Sequence, residues 1–199
     1  MSLRVLVSGV LAASIGLPSV SQACSCLPPS LSRSWHESSD TLRVTLVSER
    51  TVGQFHYYEA EVHRPFSGCT QPGDRILLES ASNQAACGIR LSVGDEWLVT
   101  ASNADSQGRP DVFGVNLCGY NRPWTQLTRP ERDFLNARLV VCPGSGVAVC
   151  ADGTQPVACL VDPCDVAFCG LEERCQSNDC GGCTAEFYDA FFDPVCTPW

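Results

Sequence analysis

No apolar run in this 199-residue chain reaches the roughly 18 residues that span a bilayer, so no membrane-crossing helix, and no membrane protein, is expected. Basic residues are in deficit: 13 against 22 acidic, a net charge of -9. That balance argues against nucleic acid or an anionic membrane as partner. No Gly-rich phosphate loop and no nucleophile elbow is present. Histidine is scarce, and His56 and His63, seven apart on one expected strand, would point to opposite faces. They and His36 therefore read as packing or surface residues rather than metal ligands. Asp162, Asp165 and Glu172 lack the spacing and glycine of a calcium loop, which leaves them as solvated loop charges.

What the chain does have is cysteine, 14 in all. They follow a leader with one basic residue (Arg4), an apolar run from Val5 to Ile15, and small residues at Ser21 and Ala23. This is the pattern of a secretory signal peptide over residues 1–23, cut to leave Cys24 first. Secretion to the extracellular space is the expected location, with a periplasmic or lipid-anchored form as alternatives. Against the lipid, Ser21 and Gln22 stand where lipoprotein signals carry Leu and a small residue. Export makes the cysteines a disulfide framework, since oxidising compartments favour bridges. Cys180-Gly-Gly-Cys183 has the spacing of a zinc or redox pair, but no second CxxC and no histidine lies near it.

Cysteine density divides the exported chain. Five cysteines lie between Cys24 and Val141, among strand-like runs, and nine follow from Cys142 on. The expected organisation is a first domain over 24–142, a linker over 143–149 opening on Pro143-Gly144-Ser145-Gly146, and a cysteine-rich module over 150–199.

Period-two alternation marks strands in the first domain. Leu42, Val44 and Leu46 alternate with polar residues, as do Tyr58, Ala60 and Val62; Arg75 to Glu79, Glu96 to Ala101 and Val112 to Asn116 supply three more. The spacing predicts a mainly β domain, a small five-stranded OB-like barrel. A helix is predicted from Thr128, where Thr128 and Glu131 make a capping box and Pro130 suits the first turn. Phe134, Leu135 and Leu139 would cover the barrel, and Trp97 and Trp124 would pack it.

Cys24-Ser25-Cys26-Leu27-Pro28-Pro29 resembles the mature N-terminus of the tissue inhibitors of metalloproteinases. The likeness continues through Asp40-Thr41-Leu42-Arg43-Val44, Tyr58-Glu59-Ala60-Glu61-Val62 with Phe66-Ser67-Gly68, Ala86-Cys87-Gly88, Glu96-Trp97-Leu98-Val99, and Leu117-Cys118 with Pro123-Trp124. It covers about residues 24 to 142, the netrin-like domain. The resemblance implies bridges Cys24–Cys87 and Cys26–Cys118. A third bridge of the animal inhibitors lacks one half here, because Ser34-Trp35-His36-Glu37 holds no cysteine while Cys142 keeps the other half. If the eight cysteines from Cys150 to Cys196 pair among themselves, Cys69 and Cys142 remain and are expected to join, with Cys142–Cys150 the competing pair.

The resemblance also implies a mechanism and a partner, a zinc metalloprotease. An α-amine has a pKa of about 7.7 to 8.0, so near neutral pH part of it carries a free lone pair. The amine and carbonyl oxygen of Cys24 would chelate the target's catalytic zinc at its open position. Ser25 would enter the adjoining pocket. Cys26, Leu27 and Pro28, with Asn83, Gln84, Ala85, Ala86 and Cys87 beside them, would complete one ridge. The chain itself would be a monomer, not an enzyme, with no cofactor and no metal of its own, the zinc being the target's.

The module resembles small cysteine-rich extracellular modules, and its eight cysteines allow 105 pairings. Three functions stay open: a metalloprotease inhibitor, a non-inhibitory netrin-like binding or matrix module, and a thiol enzyme using Cys180 and Cys183. The leader yields one expectation of its own. N-terminal sequencing with intact mass of the exported protein should show Cys24 first with an unmodified amine; a retained Ala23 or an acyl mass would contradict it.

Overall fold

A computed structural model describes residues 24–102, 112–141, 148–170 and 174–196. The expected leader, Cys142 and residues 143–147 of the expected linker lie outside the described residues. The fold is mainly β. Strands β1 (Asp40–Val52), β2 (Phe55–Ser67), β3 (Arg75–Ala81), β4 (Glu96–Ala101), β5 (Val112–Gly114) and β6 (Arg122–Pro123) form one sheet in the order β5-β3-β2-β1-β4-β6. Neighbours are antiparallel except β3 and β5. Just past β4, Ser102 also pairs with Gly114, so β5 touches β4 as well as β3. Register shifts at Thr41/Leu42, Arg43/Val44 and Leu46/Ser48 bend the long β1–β2 ribbon, as extra residues in one strand do.

The alternation read along β1 and β2 is a burial pattern. Leu42, Val44, Leu46, Tyr58, Ala60 and Val62 face one core with Leu78, Trp97 and Val99. A second core gathers Leu31, Phe66, Leu98, Tyr120, Leu127 and Leu135 under two helices, α1 (Leu31–Glu37) and α2 (Arg129–Asn136). The capping box at α2 is formed, with Thr128 and Glu131 each bonded to the other's backbone.

Two expectations need correction, and one element carries almost no sequence signal. The sheet has a sixth strand, only two residues long and half proline, a residue that cannot donate to a ladder. Leu139 does not extend α2. It opens β7 (Leu139–Val141), whose backbone pairs with β8 (Ala148–Cys150). Helix α1 is faint in the sequence because its seven residues follow two prolines and carry a single start signal, Ser30, whose Oγ accepts from Arg33 N at 3.2 Å.

The cysteine-rich part holds α3 (Pro163–Val166) and a three-stranded sheet of β9 (Arg174–Asn178), β10 (Thr184–Tyr188) and β11 (Pro194–Cys196). Its bridges are Cys150–Cys180, Cys159–Cys183, Cys164–Cys175 and Cys169–Cys196. Cys180 and Cys183 thus each join a distant partner, which removes the thiol-enzyme reading, and Cys150 is not available to Cys142. Asp162 is more than a solvated charge: it caps α3, accepting from Cys164 N at 2.9 Å and from Ser177.

This module docks through buried charge and stacked rings. Arg138, only 3% exposed, makes a forked ion pair with Glu186 and bonds Tyr188 Oη at 3.1 Å. Burial works against ionising Glu186, yet Arg138, Tyr188 and Asn178 together hold its carboxyl below the usual range. The chain has no lysine, and the planar guanidinium suits this role: Arg138 lies 4.2 Å from the Phe134 ring centre, and Arg174 lies 4.5 Å from that of Phe192.

His36 stacks on Phe192 at 4.4 Å and meets Tyr188 edge-on at 4.8 Å. Burial, reinforced by Arg138 and Arg174 and opposed by Glu186, lowers its pKa to about 4. Unfolded, His36 takes up its proton near 6.5. The contribution of neutral His36 is therefore complete above that pH and is lost as pH falls towards 4. In urea denaturation, the wild type should lose on the order of 1–2 kcal/mol more than His36→Phe over that window; parallel profiles would contradict this.

Candidate functional site

Ser25 to Pro29 form an exposed segment, held at its start by sulfur. Cys24 is bridged to Cys87 and Cys26 to Cys118, with Cα separations of 5.0 and 5.4 Å. The two bridges pack on each other: Cys24 Sγ lies 3.6 Å from Cys26 Sγ and 3.8 Å from Cys118 Sγ. Each bridge spans a long stretch of chain, 63 and 92 residues, the arrangement that most restricts the unfolded state, worth about 2–4 kcal/mol apiece. Among the described residues these four sulfurs are the one close group of three or more metal-ligand side chains. Bonded to one another, they are withdrawn from coordination.

The loop before Cys87 runs alongside. Cys24 N donates to Ala85 O at 3.0 Å, so backbone as well as sulfur joins the two stretches. Gln84–Ala86 make one 3-10 turn, started by Asn83, whose Oδ1 accepts from Ala86 N at 2.9 Å. Cys87 then takes a left-handed conformation (φ 58°), uncommon for a residue with a side chain. That turn aims its sulfur at Cys24 and its carbonyl at Leu117 N, 2.8 Å away. Gly88 follows because nothing larger fits: a Cβ there would lie 2.0 Å from Ala81 O and 2.7 Å from Asn83 O.

Ser25, Cys26, Leu27, Pro28, Gln84, Ala85 and Ala86 are all exposed, while Cys24 and Cys87 are half-buried. Residues 24–29 and 83–88 carry no acidic, basic or histidine side chain. The ridge is therefore uncharged apart from the amine that cleavage before Cys24 would free. Leu117, 42% exposed, joins its flank. It borders a cleft of about 350 Å³ with Pro29, Trp97, Asn121, Pro123 and Gln126. No local sequence pattern marks that cleft, because its walls come from β4, β6 and the loops around Leu117 and Pro29, which only the fold brings together.

The other candidates lie elsewhere. His56 is buried against Thr51 Oγ1 at 2.9 Å and Glu49 at 3.1 Å; His63 meets Thr45 Oγ1 at 2.6 Å. Trp97 is in the first core, and Trp124 stacks on Phe66 at 6.0 Å. Cys69 is disulfide-bonded, and its expected partner, Cys142, lies outside the described residues. No helix among the described residues is long and apolar enough to cross a membrane.

Comparison with known proteins finds similarity along most of this architecture. Residues 22–191 match the sequence model of the family described as tissue inhibitor of metalloproteinase, a match that runs well past Cys142. The guinea-pig protein named metalloproteinase inhibitor 2 is 29% identical over 134 residues, 61% of this chain and 58% of its own length. Its human counterpart is 29% identical over 128 residues, 58% of this chain and 56% of its own. Mouse metalloproteinase inhibitor 4 is 26% identical over 130 residues, 60% and 56% respectively. The chain thus spans somewhat over half the length of these relatives.

The tight packing at Gly88 has a measurable consequence. Gly88→Ala should lower stability by about 2–3 kcal/mol, as overpacking against backbone does. Gly53→Ala, at the β1–β2 turn where a Cβ meets open space at φ 60°, should cost only about 1 kcal/mol. Thermal melting of both variants checks the ordering, and equal losses would contradict it.

Proposed function

The chain belongs to the tissue inhibitor of metalloproteinase family, and on that premise we propose that it is an exported inhibitor of zinc metalloendopeptidases that acts through Cys24. The observation that carries this reading is the exposed, uncharged ridge on which Cys24 is held by both sulfur and backbone. Cleavage before Cys24 turns its amide nitrogen into an amine with a lone pair, while its sulfur stays in the bridge. That nitrogen and the carbonyl oxygen of Cys24 close a five-membered chelate on the target's zinc and displace the water that hydrolysis needs. The carbonyl of Ala85 accepts one N–H of the same nitrogen, a bond that uses a hydrogen and leaves the lone pair free for the metal. Ser25 occupies the pocket beside the metal, and Leu27, Pro28, Gln84, Ala85 and Ala86 extend the contact along the cleft. Because two bridges have already ordered Cys24 to Cys26, little entropy remains there to oppose binding.

We read the strand succession β1-β2-β3-β5-β4, with its Ser102–Gly114 link, as the family's OB-like barrel serving as the ridge's rigid base. The inhibitor works as a monomer without a metal of its own, outside the cell or in another oxidising compartment. A non-inhibitory binding module built on the same bridges would tolerate any residue ahead of Cys24; a chelating terminus would not. Titration of the mature protein against a panel of zinc metalloendopeptidases should show tight, stoichiometric inhibition of at least one. Acetylating the terminal amine, or adding one alanine before Cys24, should abolish it while leaving thermal stability nearly unchanged. Inhibition that survives either change rules out the chelate.

A further inference from the structure

The far end of the ridge is held by the cysteine-rich module. Six residues past Cys24 in the sequence, Ser30 Oγ donates to Asp193 Oδ1 at 2.8 Å while also capping α1. Two residues on, Ser32 Oγ donates to Phe192 O at 2.6 Å. Arg33 uses all three arms: Nη2 to Asp193 Oδ2 at 2.7 Å, Nε to Phe191 O at 2.8 Å, and Nη1 back to Pro28 O at 3.4 Å. The Arg33 side chain is 14% exposed and that of Asp193 41%, so the guanidinium is sheltered while the carboxylate keeps an open side, and the contact acts through its geometry more than through charge. The loop that receives these bonds is itself braced, since Asp189 Oδ1 accepts from Phe191 N at 2.8 Å and Asp193 N at 3.0 Å. Phe192 adopts a left-handed backbone (φ 60°) within it and stacks on His36.

We propose that the module is a working part of the ridge, with Asp193 and Arg33 as positioning residues that set the path of Leu27, Pro28 and Pro29. The bridges at Cys24 and Cys26 fix only the first three residues of the segment. From Leu27 on, the chain carries two prolines, which stiffen the backbone but offer no N–H with which to anchor it. Its direction is set where it enters α1, and Asp193 decides that entry by binding both Ser30 and Arg33. The cleft bordered by Pro29 and Leu117 lies along the same path, so the module governs which target residues the ridge accepts beyond the metal. This rests on the inhibitory reading for its functional consequence, but not for its structural one.

The test uses the mature full chain with ¹⁵N labelling, as wild type, Asp193→Asn, Arg33→Lys and Ser30→Ala. Order parameters for the Cys26 and Leu27 amides should lie near the rigid value of about 0.85 in the wild type, with Leu27 falling below about 0.6 in Asp193→Asn and Cys26 staying high. Arg33→Lys keeps one ion pair but not the three-way fork, and should fall between. Against a zinc metalloendopeptidase that the wild type inhibits, Asp193→Asn should weaken inhibition about tenfold, mainly through faster dissociation, with all bridges intact by mass. Unchanged Leu27 order in both Asp193→Asn and Ser30→Ala overturns the proposal, whatever inhibition does. Loss of Leu27 order with wild-type inhibition overturns the functional consequence. Loss of order in a protein that inhibits no zinc protease in the panel leaves the positioning role standing and instead refutes the inhibitory reading.

Discussion

Two sulfur bridges that share one small volume govern the rest of this molecule. Cys24 and Cys26 stand two residues apart, and their partners stand 63 and 92 residues away, so closing both pins the Cys24–Cys26 segment against distant loops of the first sheet. A peptide of this composition would otherwise sample many conformations, each ordered residue costing about 1–2 kcal/mol. Here that cost is met during folding, before any partner arrives. The left-handed turn at Cys87 and the missing side chain at Gly88 are consequences of the same constraint, because the loop must come close enough to deliver both a sulfur and the Ala85 carbonyl to Cys24.

The module extends the constraint rather than hanging from it. Its β10 strand sends Glu186 to the buried Arg138, and its Asp189–Asp193 loop grips the first turn of α1. A buried ion pair is weak evidence of stability in itself, since desolvation offsets much of the attraction. Its value here is geometric, because a fork of hydrogen bonds between two planar groups admits one docking angle. Ring stacking at His36, Phe192 and Tyr188 fills the space around it. The cysteine-free segment Ser34-Trp35-His36-Glu37 is held by Ser34, whose Oγ accepts from Tyr120 N at 3.0 Å, and by Trp35, whose indole N–H donates to Phe66 O at 3.3 Å.

Much of the first domain was legible because its signals are local. Alternation in β1 and β2 has a period of two whatever lies opposite, and a Thr128–Glu131 capping box is complete within four residues. The misses have a common cause. Leu139 continues a helical spacing but is claimed by pairing with Cys150, a partner eleven positions on. Strand β6 exists only because β4 offers it an edge. The separations at the clamp, 158 to 163 residues between Arg33 or Ser30 and their acceptors, leave no trace in any window of sequence.

By itself, the sequence determined the chemistry available to this protein. The pattern of an export leader carries the expectation of an oxidising compartment and bridged sulfurs, a cysteine follows it at once, and residues 24–29 hold no charged side chain. Residue types and their spacing carry such information because ionisation, oxidation and local turns depend on near neighbours. Tertiary structure alone decided where that chemistry is presented: which loop lies under Cys24, which carbonyl faces its nitrogen, and which distant carboxylate binds Ser30 and Arg33. Those outcomes depend on contacts between residues far apart in the chain, and such contacts exist only once the sheet and the module have packed.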